Sequence, residues 1–214
     1  MKNNQISIFK TFKLSFALII LAVFVQGCGG GSDFLSPVSS EDKILAFGDS
    51  LTEGVGVKDS NDSYPSVLSR LIGRTVINAG ISGEITKEGL NRLTKVIDDN
   101  NPYLMILLEG GNDFLQNVSS EDTKKNLSSM IDIAKGKGVQ VVLLGVPDTN
   151  LSLSVPPFYQ ELADEHSLVY DGELIRTLLL KPEYKSDLVH FNEAGYQKMA
   201  EEIHQLLIDN GALK

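Results

Sequence analysis

From Lys43 onward, short apolar runs alternate with longer stretches in which apolar residues recur every three or four positions. The runs at 44–47, 75–78, 103–108, 139–144 and 168–170 have the length of buried strands. The stretches at 64–72, 87–98, 122–135, 158–165 and 193–208 have helical spacing. In the last of them Met199, Ile203, Leu206 and Leu207 share one face. Continuous apolar strands separated by helices predict a parallel sheet covered on both faces. There is no repeat and no change of composition, so one domain is expected over 42–214. In such sheets ligands sit beyond the carboxyl ends of the strands. The residues just after each run are therefore the ones to read for chemistry.

The first 41 residues follow a different pattern. Lys2, Lys10 and Lys13 precede an uncharged apolar run at 14–25, the shape of a secretory signal. That run is short for a membrane-spanning helix. It closes with Val25-Gln26-Gly27-Cys28, and Cys28 is the only cysteine. This resembles a bacterial lipobox, with Gln26 an unusual residue two positions before the cysteine. A signal peptide over 1–27, lipidation at Cys28 and a flexible tether over 28–41, opened by Gly29-Gly30-Gly31-Ser32, are expected. With Cys28 acylated, no thiol remains for a disulfide or a nucleophile. Losing 1–27 removes three lysines and no acid, so 19 basic and 28 acidic residues become 16 and 28, a net charge of −12. Such a chain is a poor partner for nucleic acid and is not drawn to anionic membrane, so the lipid would make the membrane contact. Gly29 and Gly30 lack the aspartate that retains enterobacterial lipoproteins at the inner membrane. An exported protein anchored on the periplasmic side, at the outer membrane where one exists, is the expectation.

The run at 44–47 ends at Gly48, and Asp49 and Ser50 are both good residues to open a helix. A sheet holds such a serine rigidly, while the helix start offers unpaired N–H groups to a developing oxyanion. A given tetrapeptide such as Gly48-Asp49-Ser50-Leu51 arises by chance in on the order of one chain in a hundred. Ser50 therefore needs partners. The second run leads into Asn78-Ala79-Gly80-Ile81-Ser82-Gly83-Glu84, the third into Glu109-Gly110-Gly111-Asn112-Asp113. Ser186-Asp187-Leu188-Val189-His190-Phe191-Asn192 precedes the last helix.

Three histidines are available as a base. His204 falls inside the last helix and His166 reads as a solvated cap at a helix end. His190 lies three residues after Asp187, close enough for the carboxylate to meet one ring nitrogen and leave the other for a hydroxyl. Asn112 reads either as a turn-former or as an amide donor to an oxyanion. Gly80 or Gly83 could add a backbone N–H that no side chain obstructs. Asp49 and Asp113 read as loop braces. The Gly-x-Ser-x-Gly elbow of α/β-hydrolases is absent, because Thr52 stands two residues after Ser50.

Taken in this order, the blocks around Ser50, at 78–83, at 110–113 and at Asp187/His190 resemble the GDSL or SGNH hydrolase family, over essentially the whole of 42–214. Within it the chain looks most like the small esterases related to lysophospholipase L1 and acyl-CoA thioesterase I. The resemblance implies a flavodoxin-like three-layer α/β/α sandwich with a five-stranded parallel sheet. It implies Ser50 as nucleophile, His190 as base and Asp187 as its orienting group. The oxyanion donors it implies are the N–H groups of Ser50 and Gly83 and the side chain of Asn112. Leu188, Val189 and Phe191 depart from the family's frequent Asp-Gly-x-His-Pro, which bears on the shape of that loop and its pocket wall.

The expected activity is hydrolysis of small-molecule or lipid carboxylic esters through an acyl-enzyme, with no cofactor or metal. Phe114, Leu115, Leu151, Leu153, Val155, Phe158 and Phe191 are the candidates for an acyl groove, or else close the core beneath it. Rival readings are a carbohydrate O-acetylesterase of the same family and a non-catalytic binding lipoprotein; four intact polar site residues argue against the latter.

Overall fold

The computed structural model describes residues 35–149 and 153–214. The signal segment, Cys28 and Leu151 lie outside the described residues. Five strands form one parallel sheet in the order β2-β1-β3-β4-β5: β1 Ile44–Gly48, β2 Val76–Gly80, β3 Leu104–Leu108, β4 Gln140–Leu144 and β5 Val169–Asp171. Gly48 is in register with both Gly80 and Leu108, so the first three strands end at one level. β1 and β3 are buried along their whole length, as their unbroken apolar sequences require. β2, at an edge, is only half-buried.

The chain leaves β1 for β2 on one side and returns past β1 to β3 on the other. Right-handed crossovers then put the helix between β1 and β2 on one face and the later ones on the opposite face. Accordingly α2 (Tyr64–Ile72) packs against α8 (Glu193–Asp209), and α3 (Thr86–Asn100) packs against α5 (Ser120–Gly136), with α6 (Phe158–His166) beside it. The three-layer α/β/α expectation holds. The reversal of direction opens a crevice beyond β1 and β3, where α/β sheets place their ligands.

Three short helices are not evident from the periodicity: α1 (Ser50–Glu53), α4 (Gly111–Leu115) and α7 (Leu174–Leu179). All three border that crevice. The expected tether also ends earlier than 41. The Leu35 N–H donates to the Asn210 carbonyl and the Val38 N–H to that of Ala212, each at 2.8 Å, and Val38 is buried. Two apolar residues without a period thus pin 35–38 to the C-terminal end of the domain.

Candidate active site

Ser50 stands two residues beyond the end of β1 as the first residue of α1. The Asp49 carboxylate caps that helix, accepting the Leu51 N–H at 3.0 Å. This fixes the turn and leaves the Ser50 hydroxyl at the rim of the crevice. His190 Nε2 lies 3.0 Å from Ser50 Oγ, and His190 Nδ1 lies 2.8 Å from Asp187 Oδ2. The other carboxylate oxygen of Asp187 accepts the N–H groups of Val189 (2.9 Å) and His190 (2.8 Å). One carboxylate therefore shapes its own loop and orients the imidazole. Partial burial pushes the Asp187 carboxyl upward, but these N–H donors and the His190 ring outweigh it, and the net shift is downward.

The loop that carries His190 is held from below. Phe191 is fully buried edge-on to Tyr196, with ring centroids 5.6 Å apart. The Tyr196 hydroxyl donates to the Val55 carbonyl at 2.7 Å. The departures from the family pattern thus divide their roles: Phe191 anchors the loop in the core, Val189 faces the cavity, and Leu188 points outward, 83% exposed.

Gly83 and Asn112 face Ser50 across the same cavity. Neither the Ser50 nor the Gly83 N–H meets an acceptor among the described residues. Gly83 has φ +81°, a conformation that favours glycine, and a Cβ there would touch nothing. Gly80, the alternative, is a packing residue: a Cβ there would come within 2.0 Å of the Glu53 nitrogen in α1. The loop is aimed by Glu53, whose carboxylate accepts the Ser82 N–H at 2.5 Å. Asn112 donates to the Glu84 carbonyl at 2.9 Å and lies 3.4 Å from Asp49 Oδ2. Asp113 braces the turn, accepting from the Thr86 N–H and from the hydroxyls of Thr86 and Thr123.

Several supporting residues escape a reading by motif. Glu84, almost fully buried, holds the Arg92 guanidinium Nε at 2.5 and 2.7 Å, and Arg92 lies 4.0 Å over the Phe47 ring. Arg92 also donates to the Ala79 carbonyl, tying the end of β2 to α3. Burial lifts the Asp49 carboxyl from 3.8 to about 7; Asp113 and Glu84 add to the rise, while the Leu51 N–H and His190 oppose it. The one sign of this acidic layer in the sequence is a glutamate, Glu109, ending the apolar run at 103–108.

The cavity beside Ser50 measures about 150 Å³ and its apolar wall comes from Leu115, Val146, Pro147, Ile175, Leu179 and Val189. Among the described residues, Leu115 is the one acyl-groove candidate that belongs to it. Phe114, Phe158 and Phe191 are buried, and Phe114 and Phe158 pack ring to ring in the core. Leu153 and Val155 pack against the core without lining the cavity. The helix α7, unforeseen, supplies its far wall. A wider groove of about 290 Å³ lies at the opposite ends of β4 and β5, but its lining holds no serine–histidine pair.

His166 is not the solvated cap expected. Its Nε2 lies 3.1 Å from Ser128 Oγ and its Nδ1 3.6 Å from Asp132, between α5 and α6. The likeness to a triad ends there: the aspartate is 70% exposed, the contact long, and Ser128 sits mid-helix, where its N–H is already used. His204 lies on α8, away from the cavity. Among the described residues there is no group of three side chains able to hold a metal, and no helix long and apolar enough to cross a membrane.

Residues 46–198 match the model of the GDSL-like Lipase/Acylhydrolase family. An arylesterase of Vibrio mimicus is 30% identical over 165 residues, covering 69% of this chain and 78% of that one. The thioesterase 1/protease 1/lysophospholipase L1 of Escherichia coli K12 is 25% identical over 161 residues, 70% of this chain and 74% of its own. Among solved structures, the psychrotrophic esterase EstA from Pseudoalteromonas, inhibited by monoethylphosphonate, superposes with a TM-score of 0.70 at 17% identity, over 79% of this chain and 98% of that one.

Proposed function

This chain belongs to the GDSL-like lipase/acylhydrolase family and is a serine esterase of the SGNH type acting on small-molecule esters; on that premise we propose that Ser50 is its nucleophile, His190 its base and Asp187 the orienting acid. The observation that carries the assignment is the unbroken array from Ser50 Oγ through the imidazole to the Asp187 carboxylate, with links of 3.0 and 2.8 Å. Ser50 Oγ attacks the acyl carbon as its proton passes to His190 Nε2. The carbonyl oxygen takes up the negative charge opposite the N–H groups of Ser50 and Gly83 and the Asn112 amide. The tetrahedral adduct collapses as His190 returns the proton to the departing alcohol, leaving the acyl group on Ser50. Water then repeats the sequence, giving up its proton to His190 and releasing the acid and the free serine. Asp187, held in its anionic form by its N–H donors, stabilises the imidazolium of each step.

The acyl group is the part of the substrate that the cavity fits. Its volume is below the roughly 300–1,000 Å³ usual for a whole drug-sized ligand, and its wall is largely apolar. This supports an acyl chain of a few carbons seated against α7, with the alcohol left in solvent. We expect butyryl and hexanoyl nitrophenyl esters to be turned over faster than the acetyl ester, and long-chain esters more slowly. Each methylene in such a pocket is worth about 1–3 kcal/mol. A rate that is highest for acetylated sugars would overturn this substrate reading; esterase activity surviving in Ser50→Ala would overturn the site. Export and lipidation at Cys28 belong to the same proposal, supported by Val25-Gln26-Gly27-Cys28 and the apolar run before it.

A further inference from the structure

Beneath the turn at 110–112 lies a carboxyl group that ester hydrolysis leaves unused. Glu109 follows the last residue of β3 and is fully buried. Neither of its carboxyl oxygens has a hydrogen-bond partner among the described residues. Its backbone is firmly placed, for the Tyr159 hydroxyl donates to its carbonyl at 2.7 Å. The side chain turns away from the cavity, which it does not line. It reaches toward Gly89 in α3: a Cβ on that glycine would meet Glu109 Oε1 at 3.2 Å, Met130 Cε at 3.2 Å and Phe47 Cε1 at 3.4 Å. The carboxyl thus ends among apolar groups of α3, α5 and β1.

The charges that face it come from four elements. Asp49 at the start of α1, Glu84 in the loop before α3, and Asp113 in α4 are acidic; Arg92 in α3 is the cation. Arg92 is already engaged by Glu84 and by the Ala79 carbonyl. An ionised Glu109 would add a further unpaired anion in a place without water-like partners, the most expensive way to bury a carboxyl. Burial first, then Asp49 and Glu84, push its carboxyl well above the usual range, with Arg92 only partly offsetting them.

We propose that Glu109 is a positioning residue that works as an uncharged carboxylic acid, seating the turn at 110–112 on apolar packing, and that its ionisation unseats Asn112 and reversibly switches the esterase off. The link is covalent and short: Glu109 and Asn112 are three residues apart in one rigid turn. A charged side chain must draw in water or swing toward Arg92, and either motion pulls on that turn. Most of the acyl wall, from α7, Val146, Pro147 and Val189, is not attached to it; only Leu115, at the far end of α4, shares an element with the turn. The loss therefore falls on kcat, with KM little changed. This rests on Asn112 being an oxyanion donor, and the test includes readouts that do not pass through catalysis.

The sign of the stability effect is fixed. A carboxyl whose folded pKa is raised binds a proton in the native state that the unfolded chain has already lost, so stability falls as pH rises from about 4.5 to the folded value. Glu109→Gln, neutral at every pH, removes that fall. Its urea midpoint should gain on the wild type steadily as pH rises toward the folded value of Glu109. The high-pH decline of kcat should disappear in Glu109→Gln, while the acid side of the profile stays in place. If Glu109→Gln does not fold, infrared spectra of the wild type with isotopically labelled glutamate carboxyls serve instead. They should show one protonated glutamate at neutral pH, lost in step with kcat. A high-pH decline unmoved in folded Glu109→Gln, or the absence of a protonated glutamate at neutral pH, overturns the proposal. Activity persisting in Ser50→Ala would sink the catalytic assignment and leave the infrared and urea results standing.

Discussion

At Asn112 one amide hydrogen is committed to the Glu84 carbonyl, and the other faces Asp49 Oδ2 at a long 3.4 Å. A developing oxyanion is a better acceptor than that distant carboxylate oxygen, so the amide gains a partner chiefly in the transition state. Asn112→Ala should lower kcat by about 10²–10³ with little change in KM, and a fall expressed mainly in KM would count against the role. Asp187→Asn should reduce kcat less than His190→Ala, since it spoils the orientation of the ring and the stabilisation of its charge. His166→Ala is the control: it breaks a contact between α5 and α6 and should cost stability and leave turnover nearly intact. Asp49 offers a pH signature of its own. Its folded carboxyl, raised from 3.8 to about 7, holds a proton that the unfolded chain releases. Stability should thus decline between roughly pH 4 and pH 7, by on the order of 2–4 kcal/mol. Asp49→Asn keeps the helix cap and should lose that share of the decline in urea unfolding across the window.

At the level of elements, the oxyanion side depends on a buried ion pair and the acyl side on a two-turn helix. Arg92→Met leaves the Glu84 carboxylate buried without its cation, and breaking such a pair costs about 3–5 kcal/mol. A urea midpoint within error of the wild type would show that the pair contributes nothing there. Leu179 in α7 is buried at the end of the cavity. Leu179→Ala should cost about 2–5 kcal/mol of stability and shift the preferred acyl chain to a longer one, seen as a higher ratio of octanoyl to butyryl ester turnover. An unchanged ratio in a folded variant would remove α7 from the acyl wall.

For the whole molecule, much was legible because it rests on long apolar runs and on chemistry placed at their ends. The five strands, their parallel direction and the gathering of Ser50, Asn112, Asp187 and His190 on one rim follow from that pattern. Of the short helices, the start of α1 was legible from Asp49 and Ser50, but α4 and α7 were not, since five or six residues complete too little of a helical period to stand out. Phe191 misleads for a different reason. It flanks the base in sequence, yet the strand-like contact of Lys185 with Phe191 turns its ring into the core. Glu84 and Arg92 become partners only when the loop folds over α3, which no local spacing announces. At the N-terminus, Cys28→Ser should release the protein from the membrane fraction or leave it unprocessed; unchanged fractionation with no acyl mass on the mature N-terminus would end the proposal of an anchor.

The central claim is that Ser50 is made nucleophilic by His190. A fluorophosphonate forms a stable adduct only with a serine so activated, and peptide mass spectrometry locates it. The account predicts a single adduct on the peptide containing Ser50, formed in step with loss of esterase activity and absent from Ser50→Ala and His190→Ala. Labelling of Ser128 instead, or undiminished labelling of Ser50 in His190→Ala, would contradict it.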